Sequence, residues 1–276
     1  MDDTFQRSYR GPVRLVVFDW AGTTIDYGCY APAVAFIEVY RRKGVEISME
    51  QARRPMGLDK RQHIAAICRQ SEVASKWQEV YGRPVSGQDI DEMYADFQPL
   101  QMQCLVDYAE LIPGTLEAVA ALRLQGIRIG STTGYFTQAM ELLKEEAARR
   151  GYSPDSSVCA TQVRAGRPEP WMVFQNMINL GIYPPEAVVK VDDTRPGIEE
   201  GINAGAWTIG LAKTGNELGL SLEEIKATPP GKLEAMLDKA RGELRRVGAH
   251  YVVDSIADVP WVVEDINRRL ARGEKP

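Results

Sequence analysis

The sequence predicts an α/β protein with a parallel β-sheet and an inserted all-helical domain. Residues 15–18, Leu-Val-Val-Phe, form an unbroken apolar run, which is typical of a strand buried on both faces of a parallel sheet. From residue 112 onward, short strand patterns alternate with helical patterns, which indicates βαβ units. Between these two parts, residues 31–108 read as almost wholly helical. We therefore predict an α/β core that a helical insertion interrupts directly after the first strand.

Composition indicates a globular protein without a nucleic-acid or membrane partner. The chain has 276 residues, of which 44% are hydrophobic and 26% charged, and its net charge is −5. A negative chain gives no support for a surface that binds nucleic acid or anionic lipid. No apolar stretch approaches the ~20 residues of a membrane-spanning helix, and the N-terminus lacks a signal-peptide pattern. The four cysteines have no paired or zinc-type spacing, so we expect reduced thiols in a cytoplasmic protein.

The insertion is predicted to contain five helices. Ser48 and Gln51 match the capping-box pattern that opens a helix, and Asp59 with Gln62 forms a similar start. The predicted helices cover residues 31–42, a short segment after Ser48, 59–69, 72–81 and 89–108. We assign residues 1–12 to a polar tail, residues 13–28 and 109–276 to the core, and residues 29–108 to a helical cap domain. A cap inserted there would cover the carboxyl edge of the sheet, where it is placed to act as a lid.

The rest of the chain alternates between the two kinds of element. Helices are predicted at residues 115–124, 137–149, 170–180, 196–204, 231–246 and 256–271. Strands are predicted at residues 127–131, 158–160, 188–191, 207–211 and 251–253. Strands that alternate with helices in this way form parallel sheets, whose strands all end at one edge.

Polar residues suited to phosphate chemistry follow four of these strands. Asp19 follows the first strand, residues 131–134 (Ser-Thr-Thr-Gly) the second, Arg167 the third, and Asp192 with Asp193 the fourth. Each feature alone is explained about as well by a turn, a surface cation or a helix cap. Together at one edge of a sheet, a carboxylate, hydroxyls, a guanidinium and a pair of acids that suits Mg²⁺ describe phosphoryl transfer through an aspartyl phosphate.

Four stretches of the chain match motifs of a known group of enzymes. They are Phe-Asp-Trp-Ala-Gly-Thr-Thr-Ile-Asp-Tyr-Gly-Cys (18–29), Arg-Pro-Met-Gly-Leu-Asp-Lys (54–60), Gly-Ser-Thr-Thr-Gly-Tyr (130–135) and Ala-Gly-Arg-Pro-Glu-Pro-Trp-Met (165–172). These motifs resemble those of the haloacid dehalogenase superfamily and, within it, of the phosphonoacetaldehyde hydrolases (phosphonatases). The resemblance covers nearly the whole chain beyond the first dozen residues. It implies a Rossmann-like core with a helical cap, Mg²⁺ as cofactor, and hydrolysis of the phosphorus–carbon bond of phosphonoacetaldehyde to acetaldehyde and phosphate.

Ala21 separates the chain from ordinary phosphatases of that superfamily. Two positions after the nucleophile, those enzymes usually carry a second Asp that protonates the leaving oxygen. Cleavage of a phosphorus–carbon bond expels a carbanion instead, and a lysine Schiff base with the aldehyde turns this leaving group into an enamine. Lys60 is the candidate lysine, although a solvated surface lysine is the ordinary alternative. The helix N-terminus and three nearby arginines would lower the pKa of Lys60, whereas Asp59 would raise it, and the sequence leaves this balance open.

The resemblance assigns further roles residue by residue. Asp19 is the nucleophile, and Thr133, Gly134 and Arg167 grip the phosphonate. His63, three residues after Lys60 on the same helical face, is either a proton shuttle or a packed histidine. The residues expected to line the substrate cleft, with ordinary packing as their alternative, are Cys29, Met56 and Tyr135.

The metal site and the oligomeric state are also implied by the resemblance. Mg²⁺ would be held by the Asp19 carboxylate, the backbone carbonyl of Ala21 and Asp193. Gly197 stands where the superfamily often has a second acid, so Asp192 is the remaining candidate for that carboxylate. The resemblance implies a homodimer, for which the chain itself offers only a surplus of apolar residues in 31–43 and 93–106.

Other functions remain open at this point. A phosphomonoesterase or phosphomutase of the same superfamily, acting on a small phosphorylated metabolite, would share the nucleophile, the arginine and the metal acid. Ala21 and Lys60 argue against it. A silent phosphate-binding protein would turn over no phosphorylated compound, and a structural interaction module would show an apolar surface patch.

Overall fold

The computed structural model describes residues 8–276, so residues 1–7 of the predicted tail lie outside the described part of the chain. The strands are β1 Leu15–Phe18, β2 Arg128–Thr133, β3 Ser156–Cys159, β4 Val188–Asp192, β5 Trp207–Leu211 and β6 Tyr251–Val253. They form one sheet in the order β3-β2-β1-β4-β5-β6. Every neighbouring pair is parallel. The predicted α/β fold with a parallel sheet is therefore confirmed.

Twelve α-helices accompany the sheet in the described residues. Those of the insertion are α1 Ala31–Arg42, α2 Met49–Arg53, α3 Lys60–Cys68, α4 Ser71–Tyr81 and α5 Gly87–Leu105. Those of the core are α6 Thr115–Leu124, α7 Thr137–Arg149, α8 Trp171–Leu180, α9 Arg195–Asn203, α10 Leu222–Ala227, α11 Pro230–Val247 and α12 Val259–Ala271. Among residues 8–276, none of the helices combines the length and the apolar character needed to cross a membrane.

Two of the differences from the sequence prediction are a strand that is longer than predicted and a helix that was not predicted. The second strand extends to Thr133, two residues further than predicted, because its last two residues pair with Val158 and Cys159 of β3. The short helix α10 was not predicted, although Ser221 and Glu224 form a capping box at its start. Both errors concern short polar stretches, for which hydrophobic periodicity gives a weak signal.

The helical insertion has a hydrophobic cluster of its own. Phe36 stacks on Phe97 with their ring centroids 4.4 Å apart, and every member of this cluster lies between residues 35 and 104. Phe36, Val39, Met93 and Phe97 belong to the apolar surplus that suggested a dimer face, yet all four are buried within the chain. Because these residues are not at the surface, they no longer support the predicted homodimer. The domain boundaries at residues 29 and 108 stay predictions.

The topology places the insertion at one edge of the sheet. Because all six strands are parallel, their carboxyl ends lie at the same edge. The insertion begins shortly after the carboxyl end of β1, and β1 lies in the middle of the sheet between β2 and β4. Residues of the insertion can therefore meet the ends of the central strands.

Candidate active site

Asp19 lies at the centre of the carboxyl edge of the sheet. Its backbone N–H donates to the carbonyl of Val191 at 3.0 Å, which continues the pairing of β1 with β4. Asp19 is 5% exposed, and its Oδ1 accepts from Arg167 Nη2 at 2.7 Å. Burial raises the pKa of the Asp19 carboxyl, while the Arg167 guanidinium opposes that rise. This geometry can present a carboxylate to a phosphorus atom whose oxygens Arg167 attracts.

Arg167 is fixed in a fully buried network. Its Nε donates to Glu200 Oε2 at 3.0 Å, and its Nη2 donates to Thr132 Oγ1 at 2.8 Å. Lys190 reaches the same threonine hydroxyl at 2.9 Å and donates to Asp192 Oδ2 at 2.7 Å. Because Nε and Nη2 are both bound by buried partners, the guanidinium is held in place beside the nucleophile.

Three carboxylates form a candidate metal site. Asp19, Asp192 and Asp193 each offer a ligand atom, and these atoms lie within 4.8 Å of one another. Burial raises the pKa of Asp193 well above its ordinary range, and the charges of the other two raise it further. Together with the neighbouring Glu200 they make four buried carboxylates, whose ion pairs within residues 8–276 involve only two cations, Arg167 and Lys190. Asp193 pairs with neither of these cations. A cluster of this kind fits a divalent cation with oxygen ligands.

Asp192 differs from the other two acids because both of its oxygens have partners and one of these partners is a cation. By contrast, the two Asp193 oxygens accept only from neutral groups among the described residues, the Thr23 hydroxyl and the Asn216 backbone N–H. Oδ1 accepts from the Thr194 backbone N–H at 2.9 Å and from its hydroxyl at 2.7 Å, and Oδ2 accepts from Lys190. Burial opposes ionisation, but the two neighbouring cations lower the pKa of Asp192 overall. A Cβ on Gly197 would lie 2.0 Å from the Asp192 carboxyl carbon. Asp192 thus fills the space beside Gly197 and neutralises the buried cations.

Lys60 belongs to the insertion, and its side chain extends into this site. It begins α3, directly after the N-cap Asp59, whose side chain accepts from the Gln62 N–H. Lys60 is 5% exposed, its Nζ lies 4.6 Å from the centroid of the Tyr135 ring, and it hydrogen-bonds to none of the residues 8–276. Burial lowers the pKa of Lys60 to about 8. The sequence left open whether the pKa of Lys60 is raised or lowered. Burial, rather than the three arginines near it in sequence, is the main reason that this pKa is lowered.

A small cavity lies between Asp19 and Lys60, where the insertion meets the core. Its volume is only about 20 Å³, room for about one water molecule. The residues that line it are Asp19, Ala21, Cys29, Pro32, Met56, Gly57, Lys60, Thr133, Gly134, Tyr135, Arg167 and Thr194. Ten of these twelve were singled out in the sequence or belong to its matched motifs. A neighbouring cavity of about 240 Å³ also reaches Lys60 and Gly134, but Asp19 does not line it. A substrate that contacts both Lys60 and Asp19 therefore needs the space between the insertion and the core to widen.

His63 does not line this cavity. Its ring is buried and stacks on Phe36, with the centroids 3.9 Å apart. Nε2 is hydrogen-bonded to the Ala52 carbonyl at 2.7 Å, which requires the proton on that nitrogen, and Nδ1 has no partner among the described residues. Burial, with the charge of Lys60, lowers the pKa of His63 well below its ordinary value. A neutral histidine behind Phe36 fits the packing alternative better than direct contact with substrate.

Cys29 and Tyr135 meet at the cavity wall as buried, uncharged groups. Burial raises the pKa of both side chains well above their ordinary values. The hydroxyl of Tyr135 is buried without a partner among the described residues, so it is free to bind a group that enters. Cys29 has a φ of 56°, a conformation that is uncommon for residues with a side chain.

Several residues of the site were missed in the sequence. Lys190 had a usable signal, because a lysine in the run Val-Val-Lys-Val of a buried strand needs a buried partner. Glu200 and Asn216 had no such signal, since each comes from a polar stretch and becomes part of the site only through the fold. Asn216 donates its backbone N–H to Asp193 Oδ2 at 2.8 Å.

Replacing Gly57 with alanine is expected to lower kcat/KM by about 100-fold, because a small displacement of Lys60 misaligns the reacting groups. Gly57 has a φ of +96°, and a Cβ there would lie 2.3 Å from Thr194 Oγ1. Steady-state kinetics measures the loss. Gly82→Ala is the matched control, since Gly82 has a φ of +67° with nothing within 4 Å of the added Cβ. Equal losses in both variants would show backbone strain alone to be responsible.

The comparison with protein families agrees with this geometry. The family model described as haloacid dehalogenase-like hydrolase matches residues 13–205. This range is more than half of the chain, so the chain belongs to the haloacid dehalogenase-like hydrolases.

Individual relatives narrow the family. A phosphonoacetaldehyde hydrolase-like protein of Syntrophobacter fumaroxidans is 51% identical over 99% of this chain and 100% of its own. A phosphonoacetaldehyde hydrolase of the same organism is 47% identical over 98% of each chain. The crystal structure of a phosphonoacetaldehyde hydrolase-like protein from Oleispira antarctica has 41% identity, covers 99% of each chain and superposes with a TM-score of 0.97. Within the hydrolases, the chain is a member of the phosphonoacetaldehyde hydrolase family.

Proposed function

We propose that the chain hydrolyses the phosphorus–carbon bond of phosphonoacetaldehyde, giving acetaldehyde and phosphate through a Lys60 imine and an Asp19 phosphoenzyme. The observation that carries the proposal is a buried lysine amine without a hydrogen-bond partner in residues 8–276, in the same cavity as a carboxylate nucleophile. The named relatives support the substrate, because they are phosphonoacetaldehyde hydrolases. Ala21 at the wall of that cavity supports it too, since no acid stands there to protonate a leaving oxygen.

The first step prepares the leaving group. The neutral Nζ of Lys60 attacks the aldehyde carbon. The adduct takes up one proton from solvent and loses water, which leaves a protonated imine. The uncharged wall formed by Tyr135, Cys29 and Met56 excludes water, which disfavours hydrolysis of the imine before cleavage. The positive nitrogen is then placed to accept an electron pair.

The second step breaks the phosphorus–carbon bond. A carboxylate oxygen of Asp19 attacks phosphorus while the bonding pair moves through the imine to nitrogen, so an enamine leaves rather than a carbanion. Arg167 binds phosphonate oxygens, together with Thr133 and the backbone at Gly134. The enamine takes a proton on carbon and the resulting imine hydrolyses to acetaldehyde. Water then hydrolyses the Asp19 acyl phosphate to phosphate and restores the carboxylate.

Members of this hydrolase family use a divalent metal, and we propose Mg²⁺ for this chain. Asp19, the Ala21 carbonyl and Asp193 would hold it. Asp192 is left out because Lys190 already neutralises its charge, whereas Asp193 accepts only from neutral donors within residues 8–276. When bound, the ion supplies positive charge between the carboxylates and the phosphonate. The surplus of buried carboxylates over the cations paired with them and the hard oxygen donors support this choice.

Activity is expected to rise with pH between 6 and 8. Only the neutral amine of Lys60 attacks an aldehyde, and its pKa is lowered to about 8. The neutral fraction therefore increases about tenfold from pH 6 to pH 7 and levels off above about pH 9. Single-turnover rates of imine formation, measured by borohydride quenching, give the profile. A rate that is flat between pH 6 and 8 would contradict attack by this amine.

Substrate choice decides between this function and its alternative, a phosphomonoesterase or phosphomutase of the same fold. Metal-stripped protein supplied with Mg²⁺ or with Ca²⁺ is assayed for phosphate release from phosphonoacetaldehyde and from a panel of small sugar phosphates. We expect turnover of phosphonoacetaldehyde with Mg²⁺ and little with Ca²⁺, whose larger coordination sphere fits the small cavity poorly. Preference for a sugar phosphate would overturn the proposal.

The expected homodimer and cytoplasmic location stay predictions. The buried apolar residues of α1 and α5 leave the dimer resting on family resemblance alone. Light scattering coupled to size-exclusion chromatography measures the oligomeric state directly. A monomer would refute this prediction without affecting the proposed chemistry.

A further inference from the structure

Arg53 crosses from the insertion to the core beside the active site. It ends α2 and is 9% exposed. Its Nη1 donates to the carbonyl of Gly28 at 2.6 Å and to Asn216 Oδ1 at 3.4 Å. The guanidinium carbon lies 4.7 Å from the centroid of the Tyr30 ring. One side chain of the insertion therefore contacts both the segment that leads out of the core and a loop of the core itself.

Asn216 also donates a hydrogen bond to Arg53 and another to Asp193. Its side-chain Nδ2 donates to the backbone carbonyl of Arg53 at 3.4 Å, and its backbone N–H donates to Asp193 Oδ2 at 2.8 Å. A Cβ on Gly219 would lie 3.2 Å from Arg53 Nη1, so a glycine in this loop leaves room for the guanidinium. The same asparagine thus connects the insertion to a candidate metal ligand.

The Arg53 contact combines hydrogen bonds that favour closure of the insertion with buried nitrogens, unpaired within residues 8–276, that favour its opening. Nε and Nη2 of Arg53 are buried without a partner among the described residues, and none of the ion pairs in the described part of the chain includes Arg53. Burying a guanidinium in this way is costly, and the cost is recovered when the group returns to water. By contrast, Arg54 is exposed and pairs with Glu50 at 2.9 Å. A contact that stabilises the closed arrangement only weakly suits an interface that must open for each substrate.

We propose that Arg53 and Asn216 form a latch that holds the insertion closed over the core, with Lys60 beside Asp19. Both are positioning residues, because neither lines the cavity in which substrate would bind. The latch rests on the proposed function in one respect: closure matters because Lys60 and Asp19 must act on the same substrate. Through the Asn216 N–H, closure also steadies the Asp193 carboxylate.

A double-mutant cycle tests the latch in the full-length, Mg²⁺-loaded protein. Arg53→Ala and Asn216→Ala are each expected to lower kcat/KM for phosphonoacetaldehyde by about tenfold. The double variant should lose clearly less than the product of the two single losses, because both single variants remove the contact of the Arg53 guanidinium with Asn216 Oδ1. Asn216→Ala keeps the backbone N–H that binds Asp193. Arg54→Ala is the matched control and should change kcat/KM by less than about twofold.

Hydrogen exchange gives a readout that does not depend on activity. Peptides covering residues 49–60 and 212–220 should exchange faster in Arg53→Ala and in Asn216→Ala than in the wild type, and Arg54→Ala should match the wild type. Additive losses in the cycle, or unchanged exchange in both single variants, would overturn the latch. If the wild type fails to cleave phosphonoacetaldehyde, the proposed function fails while the exchange comparison still decides the latch.

Discussion

Replacing Asp19 with asparagine is expected to lower the rate of phosphate release by about 10⁴-fold or more, the scale seen when a nucleophile is removed. Asparagine keeps the shape of the side chain and an oxygen that can accept from Arg167, but its amide cannot attack phosphorus. Burial raises the pKa of the Asp19 carboxyl, which means that its charge is costly in the folded protein. The neutral variant is therefore expected to fold at least as well as the wild type.

Phosphate release and thermal unfolding together check this prediction. The losses should fall on the chemical step, so imine formation at Lys60 should persist in Asp19→Asn when it is trapped with borohydride. Asp155→Asn, at a carboxylate 22% exposed that pairs with Arg128 far from the cavity, is the control. Phosphate release from Asp19→Asn at more than about a hundredth of the wild-type rate would show that another group attacks phosphorus.

Replacing Lys60 with arginine is expected to abolish cleavage of the phosphorus–carbon bond, with a loss of about 10⁴-fold. Arginine keeps the positive charge above the Tyr135 ring, but a guanidinium does not form an imine with an aldehyde. The loss should therefore be chemical rather than electrostatic. The carboxylate nucleophile remains, so the slow hydrolysis of a reactive phosphate donor such as acetyl phosphate should survive.

Parallel assays of phosphonoacetaldehyde and acetyl phosphate measure this difference. The matched control is Lys76→Arg, because Lys76 is an exposed lysine of the same insertion and its Nζ donates to the Glu46 carbonyl. Equal losses with both substrates would mean that Lys60 acts only as a charge. Full activity of Lys60→Arg on phosphonoacetaldehyde would remove the imine from the mechanism.

The sequence predicted the parts of the site that follow from strand ends. An apolar run that stops at Asp19, and the pair of acids after β4, could be placed at one edge because parallel strands end together. The cluster of Asp19, Asp192 and Asp193 within 4.8 Å agrees with that expectation. The Lys60 side of the site needed more than periodicity, since an exposed lysine was its ordinary reading until the motif was matched.

The remaining parts depend on contacts between distant segments. The buried pairing of Arg167 with Glu200 and the latch of Arg53 with Asn216 join residues that are far apart in sequence. A sequence pattern carries periodicity and local caps, but it does not give the depth of burial, which decides the pKa of Lys60. It also leaves unstated which oxygens of Asp192 are already bound. The depth of burial and the partners of the Asp192 oxygens follow only from the packing of the folded chain.

The most direct test of the mechanism is to trap the imine and identify what is attached to Lys60. The wild type and Asp19→Asn are incubated with phosphonoacetaldehyde and Mg²⁺, reduced with sodium borohydride and mapped by mass spectrometry, with Lys60→Arg as control. We predict an ethyl group on Lys60 in the wild type, where the phosphorus–carbon bond has broken, and an intact phosphonoethyl group in Asp19→Asn. Absence of any Lys60 adduct in a protein that still releases phosphate from simple esters would contradict the account.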